Sequence, residues 1–508
     1  MFKNREQSRG FRFYLMYFIL LVFFLFLVLE LFKKTVLSHR YYVKLAEANR
    51  LHEEVVIAAR GIFFDRESNI LVQNKQDEKH GFKRQYLYPQ ATAHVLGYLS
   101  LPEQVNLKDY TCGVPPSPNQ YVGKIGLEKA FECQLRGEAG KVVYEVDAQE
   151  NKTRELARKN PKRGKNLNLS ISLAMQKKAK ELFGNLKGAA VASNPQTGEI
   201  LLFYSSPSFN SNDRQAINDL ISSEDKPLFN RITLGQYPPG STIKPIIALG
   251  ALEEKIISDK TIIEDTGILK LGGVEFGNWY WLQYGKKDGS LNVVKAIKRS
   301  NDIFFYQLGM KMGLNKLNKW FTKLELNQES LKKYFPQGKS LLPTNQWKKT
   351  QIGEPWYTGD TVNLSIGQGY LLLNPFQLHQ GISTIVNDGT SCLPMFIKDS
   401  LRHCKNLGFN QANLDLVKKG MVGACESGGT GWPFFDYKVN GERLKVGCKT
   451  GTAEAQQEEA LPHAWFTVYA PAENPEIVLT VLIENSGEGS KIAAPLAKKL
   501  LNSYFYQD

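Results

Sequence analysis

The chain has 508 residues, enough for two or three domains with one of them large. An apolar content of 42% and a charged content of 22% are those of a folded protein and exclude a chain disordered throughout. The formal charge of +14 invites a nucleic-acid partner, but no arginine-glycine run, zinc knuckle, homeodomain-like helix or aromatic-basic ribonucleoprotein motif occurs. The lysines are spread over polar helix faces, so no nucleic acid is expected, and an anionic membrane surface or cell-wall polymer suits the charge better.

The N-terminal stretch "FYLMYFILLVFFLFLVL", Phe13 to Leu29, carries no charge, and Leu31 and Phe32 extend it past Glu30. That is the length of a membrane-spanning helix. Lys3, Arg5, Arg9 and Arg12 precede it and favour a cytoplasmic N-terminus, although Lys33 and Lys34 follow it. No small-residue cleavage site follows, so the segment reads as an uncleaved single-pass anchor in the cell (inner) membrane, with the bulk of the chain extracytoplasmic. The six cysteines, Cys112, Cys133, Cys392, Cys404, Cys425 and Cys448, show no CxxC pair or zinc-like spacing and read mostly as free packing residues.

Beyond the anchor, residues 35–55 are polar and helix-prone, as in a stalk, and residues 55–74 read as two strands around a turn. Pro102, Pro115, Pro116 and Pro118 break any long helix in the loop-rich stretch that follows. "GKIGLEKAFECQLRG" (123–137) has a helical apolar face, "KVVYEVD" is a strand, and the basic run 159–166 is a linker. From residue 166 a short strand and helix are followed by the hairpin "GAAVASNPQTGEILLFYSS". Helix and loop run from 241 to about 425, then three strands and a closing helix. This order predicts an α+β fold with an antiparallel sheet flanked by helices.

"YPPGSTIKPI" (237–246) raises the first chemical question. Pro238, Pro239 and Gly240 force a sharp turn, so a helix starts near Ser241, with Pro245 in its first turn and an apolar run behind it. Lys244 lies one turn on, over Ser241. A lysine held among apolar groups near another cation loses basicity and can take a hydroxyl proton. Alone the motif also fits a helix-cap serine, and Ser223–Lys226 and Ser330–Lys333 share its spacing without its context. In "KRSNDIFFYQLG", Ser300 and Asp302 bracket Asn301 ahead of an apolar helix and can face one cleft, or simply cap that helix. In "KTGTAE", Lys449 and Gly451 share a strand face; Lys449 with Thr450 or Thr452 could hold a carboxylate, and a tight edge turn is the plainer alternative. His463 reads as structural rather than at the cleft edge, Trp465 and Phe466 as strand packing, and Cys448 as buried, pointing away from the Lys449 face.

Together, Ser-x-x-Lys, Ser-x-Asp and Lys-Thr-Gly form the motif set of penicillin-binding proteins and serine β-lactamases. The chain resembles the class B penicillin-binding proteins, and among them the elongation-type (penicillin-binding protein 2) subgroup. "RGIFFDRES" (60–68), "GKIGLEKAFECQLRGEAGKVVYEVD", "NRITLGQYPPGSTIKP", "TVNLSIGQGYLLLNPFQLH" and "KTGTAE…HAWFTVYAP" carry the resemblance over nearly the whole chain. It implies a cytoplasmic tail at 1–12, an anchor at 13–32, a pedestal of dimerisation type at 33–165 and a transpeptidase domain at 166–508 with a five-stranded sheet between helices.

The implied activity is peptidoglycan D,D-transpeptidation through a serine acyl-enzyme, serving cell elongation and shape. Ser241 is the implied nucleophile on stem peptides ending in D-Ala-D-Ala, and β-lactams are expected to acylate it. Lys244 is the implied base, Ser300 the proton relay and Asp302 the residue that orients Lys244 or substrate. Lys449, Thr450, Gly451 and Thr452 form the carboxylate-binding strand, and the N–H groups of Ser241 and Thr452 form the oxyanion hole. A membrane glycosyltransferase of the SEDS type is the implied partner. Glu67-Ser68 stands where the family has an Asn-Gly turn, and the short interval between residues 68 and 123 implies a reduced membrane-distal head. Some relatives carry zinc before the second motif, but no His or Cys lies between Lys244 and Ser300, so neither a metal nor a cofactor is expected.

The alternatives are a D,D-carboxypeptidase, a β-lactamase, a β-lactam sensor and a non-catalytic scaffold of a cell-wall synthesis complex. No Glu-x-x-Leu-Asn segment for a deacylating water follows the second motif, and residues 33–165 are too few for a glycosyltransferase domain. The short N-terminal tail leaves no room for a sensor's effector domain.

Overall fold

The uncharged N-terminal stretch forms one helix, Lys3–Phe32. Its side chains from Phe13 to Leu29 are apolar all round and exposed, and mean hydropathy over the candidate span Gly10–Leu37 is 2.8. A helix of that length and composition satisfies its own backbone and leaves its side chains to lipid. The computed structural model describes residues 3–77, 81–102, 112, 115–116, 120–455 and 460–506. Pro118 and the side chains of Lys3, Arg5 and Arg9 lie outside that description.

Two compact units divide the chain, Met1–Ala59 with Gly137–Arg163, and Arg60–Arg136 with Gly164–Asp508. In the first, the helix-prone stalk forms the helix His39–Arg50 but then passes into a strand, Leu51–Val56. That strand pairs with Gly140–Val146, which pairs in turn with Lys152–Lys159. Lys141–Glu53 and Lys152–Glu54 tie neighbouring strands on an exposed surface, where such pairs contribute little.

In the second unit, residues 123–137 form two short helices, Gly126–Ala130 and Glu132–Leu135, broken at Phe131, and Leu127, Phe131 and Leu135 are buried as their spacing predicts. In the Asp65–Asn69 turn, Ser68 adopts φ +69°, the left-handed conformation a glycine would take at least cost. The Asp65 carboxylate accepts from the N–H groups of Glu67 and Asn69 and thereby holds it.

The large sheet comprises β1 (Gly188–Ser193), β2 (Ile200–Ser206), β3 (Gly447–Ala453), β4 (His463–Ala470) and β5 (Ile477–Ile483). Its order is β2-β1-β5-β4-β3, antiparallel throughout, so the expected hairpin and the three expected strands form one sheet with β3 at an edge. Period-two alternation sends Trp465 and Tyr469 to one face and Ala464, Phe466 and Val468 to the other. The first face is covered by the helices Lys244–Glu253, Asp302–Lys323, Pro375–Val386 and Gln411–Ala424, the second by Leu173–Phe183 and Ala493–Phe505.

The reading of the cysteines as mostly free is overturned. Cys112–Cys133, Cys392–Cys404 and Cys425–Cys448 are disulfides. Their spacing carries no signal because the fold makes the pairs. Cys392 and Cys404 face each other in a short antiparallel ladder, and Cys425, at the end of the helix Gln411–Ala424, meets β3 where the helix packs on it.

Candidate active site

Ser241 sits in a single 3-10 turn, Gly240–Ile243, that runs into the helix Lys244–Glu253, with Pro245 in the first turn as expected. The turn is wedged against β3. Gly240 has φ +54°, and a Cβ there would lie 2.9 Å from the carbonyl oxygen of Thr452. A Cβ on Gly451 would lie 2.8 Å from Thr242 Cγ2 and 3.1 Å from the Pro239 carbonyl oxygen. The close approach expected at Gly451 is therefore made by the backbone preceding the serine. Trp465 Nε1 donates to the Pro238 carbonyl at 3.0 Å and the Thr242 hydroxyl to the Pro239 carbonyl at 2.5 Å, so the Pro-Pro-Gly turn is held from both sides.

Behind Ser241, which is partly exposed, the polar groups of the second and third motifs are buried. Lys244 Nζ donates to the Ser300 carbonyl at 2.8 Å and to Asp302 Oδ1 at 2.6 Å. Lys449 Nζ donates to Ser300 Oγ at 2.7 Å and to the Thr450 carbonyl at 2.9 Å. Ser300 thus touches both amines, one with its carbonyl and the other with its hydroxyl. It does so in a left-handed conformation, φ +53°, uncommon for a non-glycine residue. The Ser241 hydroxyl makes no hydrogen bond to any described residue. Thr452 Oγ1 accepts from the Gly489 N–H at 3.4 Å, and the Thr452 carbonyl accepts from Gln368 at 3.3 Å.

The electrostatics follow from two amines and one carboxylate in a dry site. Burial pushes Lys244 below the usual lysine range, against the opposing pull of Asp302. Burial pushes Lys449 well down, and the neighbouring charge of Lys244 adds to that effect. Such an arrangement favours the neutral amine, and an incoming carboxylate would favour recharging one of them.

The structure therefore brings together all eight residues singled out from the sequence: Ser241, Lys244, Ser300, Asp302, Lys449, Thr450, Gly451 and Thr452. His463 lies outside the cluster, with Nδ1 accepting from the Asn485 N–H at 3.1 Å and its ring edge-on to Tyr237, and burial lowers its basicity. Cys448 is buried and turned from the Lys449 side, bonded to Cys425. Sequence reasoning missed Thr430, whose hydroxyl accepts from Thr450 Oγ1 at 2.9 Å, and Trp279, whose backbone N–H donates to Asp302 Oδ2 at 3.0 Å. Thr430 opens the segment "TGWPFF", which the sequence leaves open between a loop near the cleft and an aromatic plug, and Trp279 acts through its backbone, which carries no sequence signal. Among the described residues no group of His, Cys, Asp and Glu side chains is placed to hold a metal ion.

A fold of this kind around a Ser-x-x-Lys, Ser-x-Asp, Lys-Thr-Gly site defines a class, and the comparisons agree with it. Residues 188–502 match the family model for the penicillin binding protein transpeptidase domain and residues 77–169 that for the penicillin-binding protein dimerisation domain. The chain belongs to the penicillin-binding protein transpeptidase family. It is 34% identical over 470 residues to the peptidoglycan D,D-transpeptidase MrdA of Haemophilus influenzae, covering 84% of this chain and 70% of that relative. It is similar to the penicillin-binding protein PBP2 of Helicobacter pylori, solved in complex with MreC, at 25% identity and a TM-score of 0.78 over 89% of this chain and 98% of the other. A chain solved within a peptidoglycan synthase complex that coordinates polymerization and crosslinking matches with a TM-score of 0.77 and 25% identity, over 99% of this chain and 98% of that one.

Proposed function

We propose a serine acyl-enzyme route for the peptidoglycan D,D-transpeptidase activity that this chain has as a member of its family. Neutral Lys244 takes the hydroxyl proton of Ser241 as Oγ attacks the penultimate D-alanine carbonyl of a stem peptide. The N–H groups of Ser241 and Thr452 stabilise the oxyanion. The proton that Lys244 took is returned by way of Ser300, hydrogen-bonded to Lys449, to the leaving nitrogen as the peptide C–N bond breaks, so that Lys244 is neutral again and the Ser300 hydroxyl is intact. Free D-alanine departs and an ester remains on Ser241. The amine of a neighbouring stem then attacks that ester, gives up its proton, forms the cross-link and restores the serine hydroxyl. Lys449, Thr450 and Thr452 hold the terminal carboxylate, Gly451 keeps the strand floor low enough for it to enter, and Asp302 orients Lys244.

The observation that carries this reading is the buried Ser300 bridge between Lys244 and Lys449, which joins all three motifs within hydrogen-bond distance. Mass spectrometry after incubation with a β-lactam tests it. An adduct on Ser241 that is absent from Ser241→Ala is the expected result, and no adduct on folded wild-type protein would sink it.

The single anchor, with basic residues ahead of it, supports a cytoplasmic N-terminus in the inner membrane and an extracytoplasmic catalytic domain. Three disulfides support the same side, since such bonds persist in oxidising compartments. The tail is assigned to 1–12, the anchor to 13–32, the pedestal to 33–165 and the transpeptidase domain to 166–508, in keeping with the two family-model matches. A SEDS-type membrane glycosyltransferase is the proposed partner, supported by the similarity to a chain within a synthase complex.

A further inference from the structure

Behind the second motif lies a polar cluster that none of the steps above uses. Asp265, 2% exposed, accepts four hydrogen bonds. Its Oδ1 takes the Gly267 N–H at 2.8 Å, and its Oδ2 takes the Asp288 N–H at 2.8 Å, Asn278 Nδ2 at 3.0 Å and Asn301 Nδ2 at 2.9 Å. Asn278 and Asn301 are fully buried and carry the connection onward. Asn278 Oδ1 accepts the backbone N–H of Asp302 at 3.0 Å, and Asn301 Oδ1 caps the following helix by accepting from Phe304 at 3.0 Å. Asn301 Nδ2 also reaches Asp288 Oδ2 at 3.1 Å, while Asp288 Oδ1 accepts from Arg299 Nε at 2.7 Å.

The residues on both sides of Ser300, Arg299 and Asn301, are thus fastened to one cluster, and so is the backbone of Asp302. That matters because Ser300 is held in a left-handed conformation that disfavours a non-glycine residue and persists only where its surroundings impose it. Three donors converge on a single oxygen of Asp265. Replacing that oxygen orphans buried groups that the turn needs.

We propose that Asp265 is a positioning residue for acylation. Through Asn278 and Asn301 it holds the Ser300–Asp302 turn where Lys244 reaches both the Ser300 carbonyl and Asp302 Oδ1. The inference rests on the reading that Ser241 is acylated with Lys244 as base. It assigns to Asp265, Asn278, Asn301 and Asp288 the fixing of geometry, with no contact to substrate.

The test is the second-order rate of acylation by a fluorescent penicillin across pH, on the full chain in detergent, with the labelled residue located by mass spectrometry. Lys244 faces Asp302, Lys449, Ser300 and the ring of Phe305. Of these, Asp302 is the group that raises its basicity. Asp265→Asn is expected to slow acylation about 10- to 100-fold per folded molecule, as a small misplacement of catalytic groups does. It is also expected to move the acidic limb of the profile to lower pH, because an Asp302 drawn off Lys244 leaves burial less opposed.

Asp288→Asn is expected to act in the same direction by about 3- to 10-fold, and it decides the matter if Asp265→Asn does not fold. Wild-type rates per folded molecule, or slower rates with an unmoved limb, would overturn the inference while the wild type still labels Ser241. A wild type that does not label Ser241 would overturn the underlying reading and this inference with it.

Discussion

The Arg60–Arg84–Glu128–Glu132 cluster sets two guanidiniums against two carboxylates, whereas the active-site cluster sets two amines, Lys244 and Lys449, against the single carboxylate of Asp302. Both are buried, and the difference in balance decides what each can do. Arg60 Nε meets Glu128 at 2.7 Å, Arg84 Nε meets it at 2.8 Å, and Arg60 meets Glu132 at 2.7 Å. Burial alone would raise the Glu128 carboxyl, but Arg84 and Arg60 more than reverse it, so it stays charged and its pKa is lowered. At the active site burial wins, and both amines are held down. A balanced cluster locks a structure in place, and an unbalanced one keeps a base ready to accept a proton.

The sharpest way to break that contrast is to remove the base. Lys244→Ala is expected to slow acylation of Ser241 by about 10²- to 10⁴-fold with little loss of folded protein, measured with a fluorescent penicillin. Removing a partner from the balanced cluster should do the opposite. Glu128→Gln takes the carboxylate from buried Arg84 and leaves Arg60 with Glu132 alone, and it is expected to cost about 3–5 kcal/mol in urea unfolding, while the acylation rate of the remaining folded protein holds. Because the Glu128 pKa is depressed on folding, its contribution is present above the ordinary carboxylate range and lost as pH falls through the folded value. A rate loss without a stability loss in Glu128→Gln would erase the distinction.

Asp302→Asn makes the site more unbalanced still. Acylation is expected to fall about 10- to 100-fold, with its acidic limb displaced to lower pH, since Asp302 is what raises Lys244. A limb that stays in place would mean that Asp302 does not act on Lys244. The smallest effect is expected at Thr430→Val, which leaves Thr450 without its partner. There the substrate KM should rise about 2- to 10-fold at constant kcat, the size of one hydrogen bond.

Much of this was legible in the sequence where the signal is local. Pro238, Pro239 and Gly240 announce their turn, the period-two alternation of "HAWFTVYA" sets both faces of β4, and the uncharged run after Arg12 declares the anchor. Three motifs far apart in sequence could be joined only because their types match a known site. What stayed hidden depends on distant elements packing together. Cys425 and Cys448 meet only because a helix lies on an edge strand. Asp265, Asn278 and Asn301 each look like an ordinary loop or cap residue, and Asn301 passed as the spacer between Ser300 and Asp302. Nothing in "EDTG" or "FGNW" says that two such turns will share one carboxylate.

The floor of the cleft is backbone laid on backbone at Gly240 and Gly451, where any side chain would collide with a neighbouring strand or turn. Selection by an inhibitor therefore has almost no single-step mutation available at these two positions that keeps a working enzyme. The rim is different. Thr430, half-buried and joined to Thr450 through its hydroxyl, can change without a backbone collision. Drug escape in this chain is expected to be written on the rim while the floor stays constant, and a library of resistant variants sequenced after passage on a β-lactam would read out that division.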